Sequence, residues 1–394
     1  MNRRLDLDWI RVAAFVLLIL YHVGMYYVSW DWHIKSPFAS PALEPLMVLS
    51  APWRLSLLFL ISGVATAHLL ARRADGGVMA ERSKRLLIPL AFGMLVIVVP
   101  QAYLEVVERH PGGFHDGYFA FWWRYLQGDS SFCRGDACLI LPTWNHLWFV
   151  AYLWVYTLLA WALLRYAPRL VARVREWLAR SLQGIGLLAW PIALMAIARL
   201  TLYDRFGSTH ALLDDVYNHA QYLPAFLVGL LMARESRFWN AVAGARRRAL
   251  VLALVSGAAL AAYFAAFSGA LPAPPELRTV ARIAWGTLQW SAMVTILGYA
   301  SRIAFKDSAA LRYLRQAVFP VYILHQTVII VLAYTLQPLA LRPALEGPLL
   351  VAGTLLACFA AFELIRRVGW VRPLFGLPTA QAPQPAGHQC RTSS

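Results

Sequence analysis

The chain has 394 residues, of which 60% are hydrophobic and only 14% charged. A soluble domain carries about 25% charged residues, which excludes an ordinary water-soluble globular protein. The formal charge of +16 does not point to nucleic acid, because the basic residues gather in alternate connections between apolar runs, as membrane topology requires.

Apolar runs near the roughly 20 residues that cross a bilayer recur along the whole length. A short basic start carries Arg3 and Arg4. Span one is predicted over 9–28; it lacks a small-residue cleavage site and further spans follow, so it does not read as a removable signal. The connection at 29–45 is polar and aromatic, with Trp30, Trp32, His33 and Lys35. Span two covers 46–70, with Pro52 near its start and Ser62–Gly63 inside. Arg72–Arg73, a Gly–Gly turn and the basic run at 81–85 lead into span three at 86–107. The connection at 110–143 contains Phe121–Trp122–Trp123 and suits an amphipathic helix lying flat at the interface. It also holds Cys133 and Cys138, which form a local disulfide in an oxidising compartment or remain two free thiols.

Span four is predicted over 144–164, followed by a loop with Arg165, Arg169, Arg173, Arg175 and Arg180. Span five (185–203) leads to an acidic loop with Asp204, Asp214 and Asp215. Span six (218–232) leads to a basic loop from Arg234 to Arg248. Spans seven, eight, nine and ten fall at 250–267, 280–301, 319–336 and 349–365. Arg302, Lys306, Arg312 and Arg315 separate spans eight and nine, and Arg366, Arg367 and Arg372 close the last. The expected fold is an all-α polytopic membrane protein with about ten transmembrane helices and both termini cytoplasmic, which satisfies the positive-inside rule throughout. Residues 1–372 make the membrane domain. Residues 373–394, rich in Pro, Gln, Ala and Ser, read as a disordered cytoplasmic tail.

Two ionisable residues share span one. Arg11 and His22 are eleven residues apart, about 20° from three full turns, so they lie on one side of a helix and are separated by roughly 16 Å. A cation near one membrane surface and an imidazole deeper in, on one line, suggest a tunnel with an anchoring end and a reacting end. The alternative stays open here: Arg11 snorkels to headgroups and His22 bonds a neighbouring carbonyl. Imidazole is the side chain suited to taking and returning a proton near neutral pH. Arg82 and Arg85, with Lys84 beside them, put two guanidinium groups on nearly one helical face, a geometry that grips phosphate but is also common in any cytoplasmic loop. His146 and Trp148 at the outer end of span four, and Tyr322 and His325 in span nine, are polar groups at membrane depth that serve either packing or a polar cavity. Glu105 and Glu363 are buried-carboxylate candidates for orienting His22. Ser62–Gly63 reads as a close helix contact, and no base accompanies Ser62 to make it a nucleophile. The intramembrane histidines lack the i, i+4 pairing of a metal site, and no cysteine pair has zinc spacing with histidines nearby.

Taken together, these motifs resemble the membrane-integral acyltransferase family 3. The likeness rests on Arg11 with His22, Ser62–Gly63, Arg82-x-x-Arg85 and Tyr322…His325. Within the family, the chain is similar to the periplasmic glucan succinyltransferase branch through Trp32–His33, His146-Leu147-Trp148-Phe149, Tyr222-Leu223-Pro224 with Gly229, and Arg372-Pro373-Leu374-Phe375. It departs from that branch at Gln326, where a second histidine is usual, and from the family at Val64, where an aromatic residue usually follows Ser-Gly. The resemblance implies a bacterial inner-membrane enzyme that moves an acyl group of the acetyl or succinyl class from cytoplasmic acyl-CoA to a hydroxyl of an extracytoplasmic glycan. His22 would act with Arg11 in catalysis. Arg11, Arg82 and Arg85 would serve acyl-CoA binding or catalysis; from the residues alone, Lys84 is a further candidate for holding the acyl-CoA, and His146, Trp148, Tyr322, His325 and Glu363 are candidates for a substrate or supporting role. No metal or permanently bound cofactor is implied. The implied partners are acyl-CoA, a cell-envelope glycan and the bilayer; nucleic acid is not among them and the oligomeric state is left open. A transporter or flippase for a small anion or lipid-linked sugar is the rival reading, since it would use the same basic mouth and polar path.

Overall fold

A computed structural model describes residues 4–71, 76–109, 114–134, 137–267 and 272–379. It is almost entirely helical. In hydrocarbon every backbone N–H and C=O must be satisfied within its own segment, and the α-helix does this without a partner strand. The exception is one short antiparallel pairing, β1 (Cys133–Arg134) with β2 (Ala137–Cys138), closed by a Cys133–Cys138 disulfide.

The helices in chain order are α1 (Leu5–Tyr27), the single turn α2 (Glu44–Met47), α3 (Arg54–Leu70), α4 (Gly76–Phe92), α5 (Val99–Arg109), α6 (Tyr118–Leu126), α7 (Trp148–Tyr166), α8 (Pro168–Ser181), α9 (Gly186–Phe206), α10 (Val216–Met232), α11 (Ser236–Ala266), α12 (Pro275–Ala300), α13 (Ala309–Leu336) and α14 (Pro343–Ile365). Among the described residues, seven helical rods are long and apolar enough to cross a membrane: α1, the α4–α5 rod, α7, α9, α11, α13 and α14. α3 is apolar but shorter. α10 and α12 overlay predicted spans six and eight without being among the seven. The protein is a multi-pass helical membrane protein.

Three boundaries differ from expectation for identifiable reasons. Span two begins at Arg54 rather than 46, because residues 48–53, with Pro52, turn before the helix starts. The basic loop after span four is the helix α8, whose apolar stripe of Leu170, Val174 and Trp177 is exposed beside a row of Arg169, Arg173 and Arg180. That pattern suits a helix lying in the membrane interface. The basic loop before span seven is helical from Ser236, since arginine is a good helix former.

Span three is interrupted. Pro100 has no N–H to give to the carbonyl four residues back, and the chain widens into a π-helical turn at Gly93–Ile97, with Val98 N–H reaching Gly93 O at 2.8 Å. The freed carbonyls find side-chain donors: Tyr125 OH on Met94 O (2.8 Å), Trp122 Nε1 on Leu95 O (2.9 Å) and Thr327 Oγ1 on Ile97 O (2.7 Å). The wider turn therefore ties α6 and α13 to this rod, as π-bulges often do near functional sites.

The tail also differs from expectation. Residues 372–375 form a 3-10 turn whose Phe375 is buried against Phe92, with ring centroids 5.4 Å apart. Gly376 O accepts from Arg85 Nε at 3.0 Å. The membrane domain thus runs past 372 because its aromatic closing turn packs on α4. Residues 380–394, the rest of the expected disordered tail, lie outside the described residues.

The tightest helix crossing is α3 against α10. A Cβ at Gly63 would lie 2.0 Å from Phe226 O, and a Cβ at Gly229 would lie 2.0 Å from Leu60 O. Each glycine admits the other helix's backbone, so Ser62–Gly63 is the close contact expected of it. Gly63→Ala or Gly229→Ala should lower thermal stability in detergent by at least the ~1–3 kcal/mol of ordinary overpacking. Gly244→Ala, with nothing within 4 Å of the added carbon, should leave the unfolding temperature unchanged or raise it.

Candidate active site

One face of α1 presents Arg11, Phe15, Leu18 and His22, spaced four, three and four residues apart, to two cavities set end to end. Arg11 and Phe15 line the first, of about 1260 Å³. Leu18 and His22 line the second, of about 710 Å³. The shared side expected of Arg11 and His22 is present, and the two cavities adjoin at residues common to both. Phe149 and Tyr322 line both cavities where the two adjoin. Phe15 packs edge-on to Tyr322 at 5.6 Å, Phe149 lies 6.2 Å from it, and the Tyr322 hydroxyl is anchored on His146 O.

The first cavity is an arginine cavity. Arg11, Arg82 and Arg85 line it together with Arg315, Arg366, Arg367 and Arg372, and no acidic side chain lines it among the described residues. Nearby acids offset part of the charge: Asp8 lies 3.6 Å from Arg11 and 3.8 Å from Arg315, and Glu363 lies 2.8 Å from Arg366 and 3.3 Å from Arg367. The Nε groups of Arg82 and Arg372 are buried without hydrogen-bond partners among the described residues. Such a cavity suits a multiply charged anion, which guanidinium forks bind bidentately.

The second is a histidine cavity. His325 Nδ1 lies 2.6 Å from Tyr322 O. A carbonyl only accepts, so His325 carries its proton on Nδ1 and its Nε2 is an acceptor. His22 Nδ1, 2.8 Å from that Nε2, therefore donates to it when both rings are neutral. His22 lines the cavity, and its Nε2 is left with its lone pair and no hydrogen-bond partner among the described residues. The result is an oriented base: a carbonyl sets one ring, and that ring sets the other.

A polar network backs this pair. Gln101, fully buried, donates through Nε2 to Thr327 Oγ1 (2.6 Å) and His146 Nδ1 (3.4 Å), and accepts from Asn145 Nδ2 (3.0 Å) and Gln326 Nε2 (3.1 Å). His146 Nε2 donates to Ile323 O at 3.1 Å, which commits both of its nitrogens. Gln326, the position of departure from the glucan branch, also donates to His33 Nε2 at 3.0 Å.

Several expected site residues are placed differently. Neither carboxylate orients His22: Glu105 bonds His33 Nδ1, and Glu363 is not buried but sits at the far end of α14, paired with Arg366 and Arg367. Lys84 is exposed and does not line the arginine cavity. It is out of register with Arg82 and Arg85, which lie three residues apart on one helical face. His146, Trp148 and Tyr322 line the histidine cavity, with Trp148 stacked on His210 at 4.2 Å. His325 stands behind His22, with ring centroids 5.0 Å apart and planes 22° from parallel, as the end-on hydrogen bond between them requires. Arg54 and Arg199, which also line this cavity, were not singled out in the sequence. Both lie inside predicted spans, where a cation is itself the signal.

Residues 4–363 match the family of the acyltransferase domain, Acyl_transf_3. The chain belongs to this acyltransferase family. No curated protein and no solved structure matches it. The histidine relay and the arginine cavity are thus features of a multi-pass membrane acyltransferase.

The relay makes a spectroscopic prediction. Nitrogen-15 NMR of histidine-labelled protein should show His22 with a protonated Nδ1 and an unprotonated Nε2. In His325→Leu, which removes the acceptor, His22 should lose that fixed tautomer; unchanged His22 signals would disprove the relay.

Proposed function

We propose that this protein is an O-acyltransferase of the bacterial inner membrane. It takes an acyl group from cytoplasmic acyl-CoA and places it on a hydroxyl of an extracytoplasmic glycan. In this reading ten helices span the bilayer, both termini are cytoplasmic, and the arginine cavity faces inward. The observation that carries the proposal is that an arginine-lined cavity adjoins a second cavity lined by His22, whose Nδ1 is held by His325.

The roles follow from the chemistry. The nucleotide end of acyl-CoA is a multiply charged phosphate ester, which suits Arg11, Arg82, Arg85 and their neighbours. The thin acyl-bearing arm reaches past Phe149 and Tyr322 toward His22. The histidine cavity carries the aromatic faces and amides that a sugar needs, among them Trp30, Trp32, Trp144, Asn145 and Gln326. The acceptor hydroxyl donates its hydrogen to His22 Nε2 and its oxygen attacks the thioester carbonyl. The C–O bond forms, the tetrahedral centre collapses, the C–S bond breaks, and the imidazolium returns its proton to the departing CoA sulfur. While charged, His22 keeps its Nδ1–H on His325, which stabilises the cation at the moment it exists.

His22→Ala in purified protein should cut acyl-CoA-dependent transfer to an oligosaccharide by about a hundredfold or more while leaving CoA binding unchanged. Wild-type turnover, or sugar accumulation in vesicles without CoA, would overturn the reading. Arg82→Ala should weaken CoA binding roughly tenfold or more, and wild-type CoA affinity should fall steeply with salt, because the contact is ionic. Arg85→Ala should cost less than Arg82→Ala, since Arg85 Nε is already committed to Gly376 O.

A further inference from the structure

Arg54 is a cation that the mechanism above does not use. It is the first residue of α3, lines the histidine cavity and is only 7% exposed. Its guanidinium carbon lies 3.3 Å from the centroid of the Tyr21 ring, and Tyr21 precedes His22 on α1. Stacking on that face leaves the guanidinium edges for hydrogen bonds, yet Nε and Nη1 have no partner among the described residues. The acids of the region are engaged elsewhere. Asp215 accepts from Tyr152 OH, Asn218 Nδ2 and His210 N–H; Asp31 is held by Arg109, and Glu44 by Ser29. A buried cation without a counter-charge is costly, and its place at the positive end of a helix adds to that cost.

We infer that Arg54 is a carboxylate-binding subsite beside His22, and that one of the two reactants carries the carboxylate. A guanidinium meets the two oxygens of a carboxylate through Nη2 paired with either Nε or Nη1. Acceptors for neighbouring hydroxyls are also in place. Gln289 is buried and donates through Nε2 to Ser56 Oγ at 2.8 Å, and neither its Oε1 nor the buried Gln221 Oε1 has a hydrogen-bond partner among the described residues. Both glutamines line this cavity. The carboxylate has two sources: the far end of a dicarboxylic acyl group, or a uronic acid in the acceptor. The inference rests on the acyl-transfer reading for its reactants, but the subsite can be measured without turnover.

The test uses the full chain in lipid nanodiscs. Binding of monomethyl succinate and methyl glucuronoside, with methyl glucoside as the neutral control, is followed by saturation-transfer NMR. At least one carboxylate probe should bind wild type, lose about tenfold or more in affinity in Arg54→Gln, and recover part of it in Arg54→Lys, while methyl glucoside is unaffected. Transfer is then measured with succinyl-CoA or acetyl-CoA onto a neutral or a uronate-bearing oligosaccharide. A loss in R54Q that follows the succinyl donor whatever the acceptor places the carboxylate on the acyl group. A loss that follows the uronate whatever the donor places it on the acceptor. Equal loss in all four combinations, or carboxylate binding unchanged in R54Q, overturns the subsite. Arg54-dependent probe binding in a wild-type protein that transfers nothing would keep the subsite and overturn the enzyme reading instead. Were R54Q to unfold, Tyr21→Leu, which removes the supporting ring but keeps the charge, should weaken the carboxylate probes alone; no effect, or equal weakening of methyl glucoside, overturns the subsite.

Discussion

The proton on His22 is placed by a backbone carbonyl it never touches. Tyr322 O fixes the hydrogen of His325, and His325 in turn fixes that of His22. This arrangement depends on α13 holding its carbonyl and ring at a set distance from α1, and much of the nearby packing serves that end. Gln326 and Thr327, the next residues on α13, are bonded to Gln101 on the neighbouring rod. The π-helical turn gives Ile97 O to Thr327. Gly93 lets Leu147 approach where any side chain would collide, since an added Cβ would meet Leu147 Cδ1 at 2.3 Å. A carboxylate in place of His325 would orient His22 as well, but it would bring a full charge into a low-dielectric site. A second neutral ring orients at lower desolvation cost.

The two cavities divide the electrostatic work. One gathers seven arginines with acids only behind them, so its affinity is for charge and depends on ionic strength. The other is lined mostly by aromatic faces and amides, with Arg54 and Arg199 as its cations. Arg199 is already occupied: it lies between Tyr203 and Trp285 and donates to Tyr217 OH at 2.7 Å. Arg54 is then the cation of this cavity whose charge is left for a ligand, among aromatic faces and amides that offer directional hydrogen bonds.

Much of this was legible in the residues. The eleven-residue interval between Arg11 and His22 fixed their common side through helical period alone, and Gly63 announced a close crossing because few other reasons put Ser–Gly inside an apolar run. What stayed hidden has physical causes. Arginines read as loop punctuation, yet on α8 and the first turns of α11 they are helical, because an interface accepts a charged helix face. Glu363 looked buried by its place in an apolar run, but one turn further on are Arg366 and Arg367, which draw it to the surface. Tyr322 as a partition, and His325 rather than a carboxylate as the partner of His22, depend on long-range contacts that no local pattern encodes. Arg54 was within reach: a lone cation early in a predicted span is the same signal that made Arg11 conspicuous.

The wall of Phe149 and Tyr322 has a consequence for the cell as well as for the substrates. A polar pit open at each end of a membrane protein is a ready path for protons and small ions, and an unbroken column of water through it would dissipate the gradient the membrane maintains. Aromatic rings packed across the middle, with the tyrosine hydroxyl turned away onto His146 O, interrupt that column. An enzyme that takes a large charged donor from one side and a hydrated acceptor from the other needs such a partition to keep the bilayer electrically sealed.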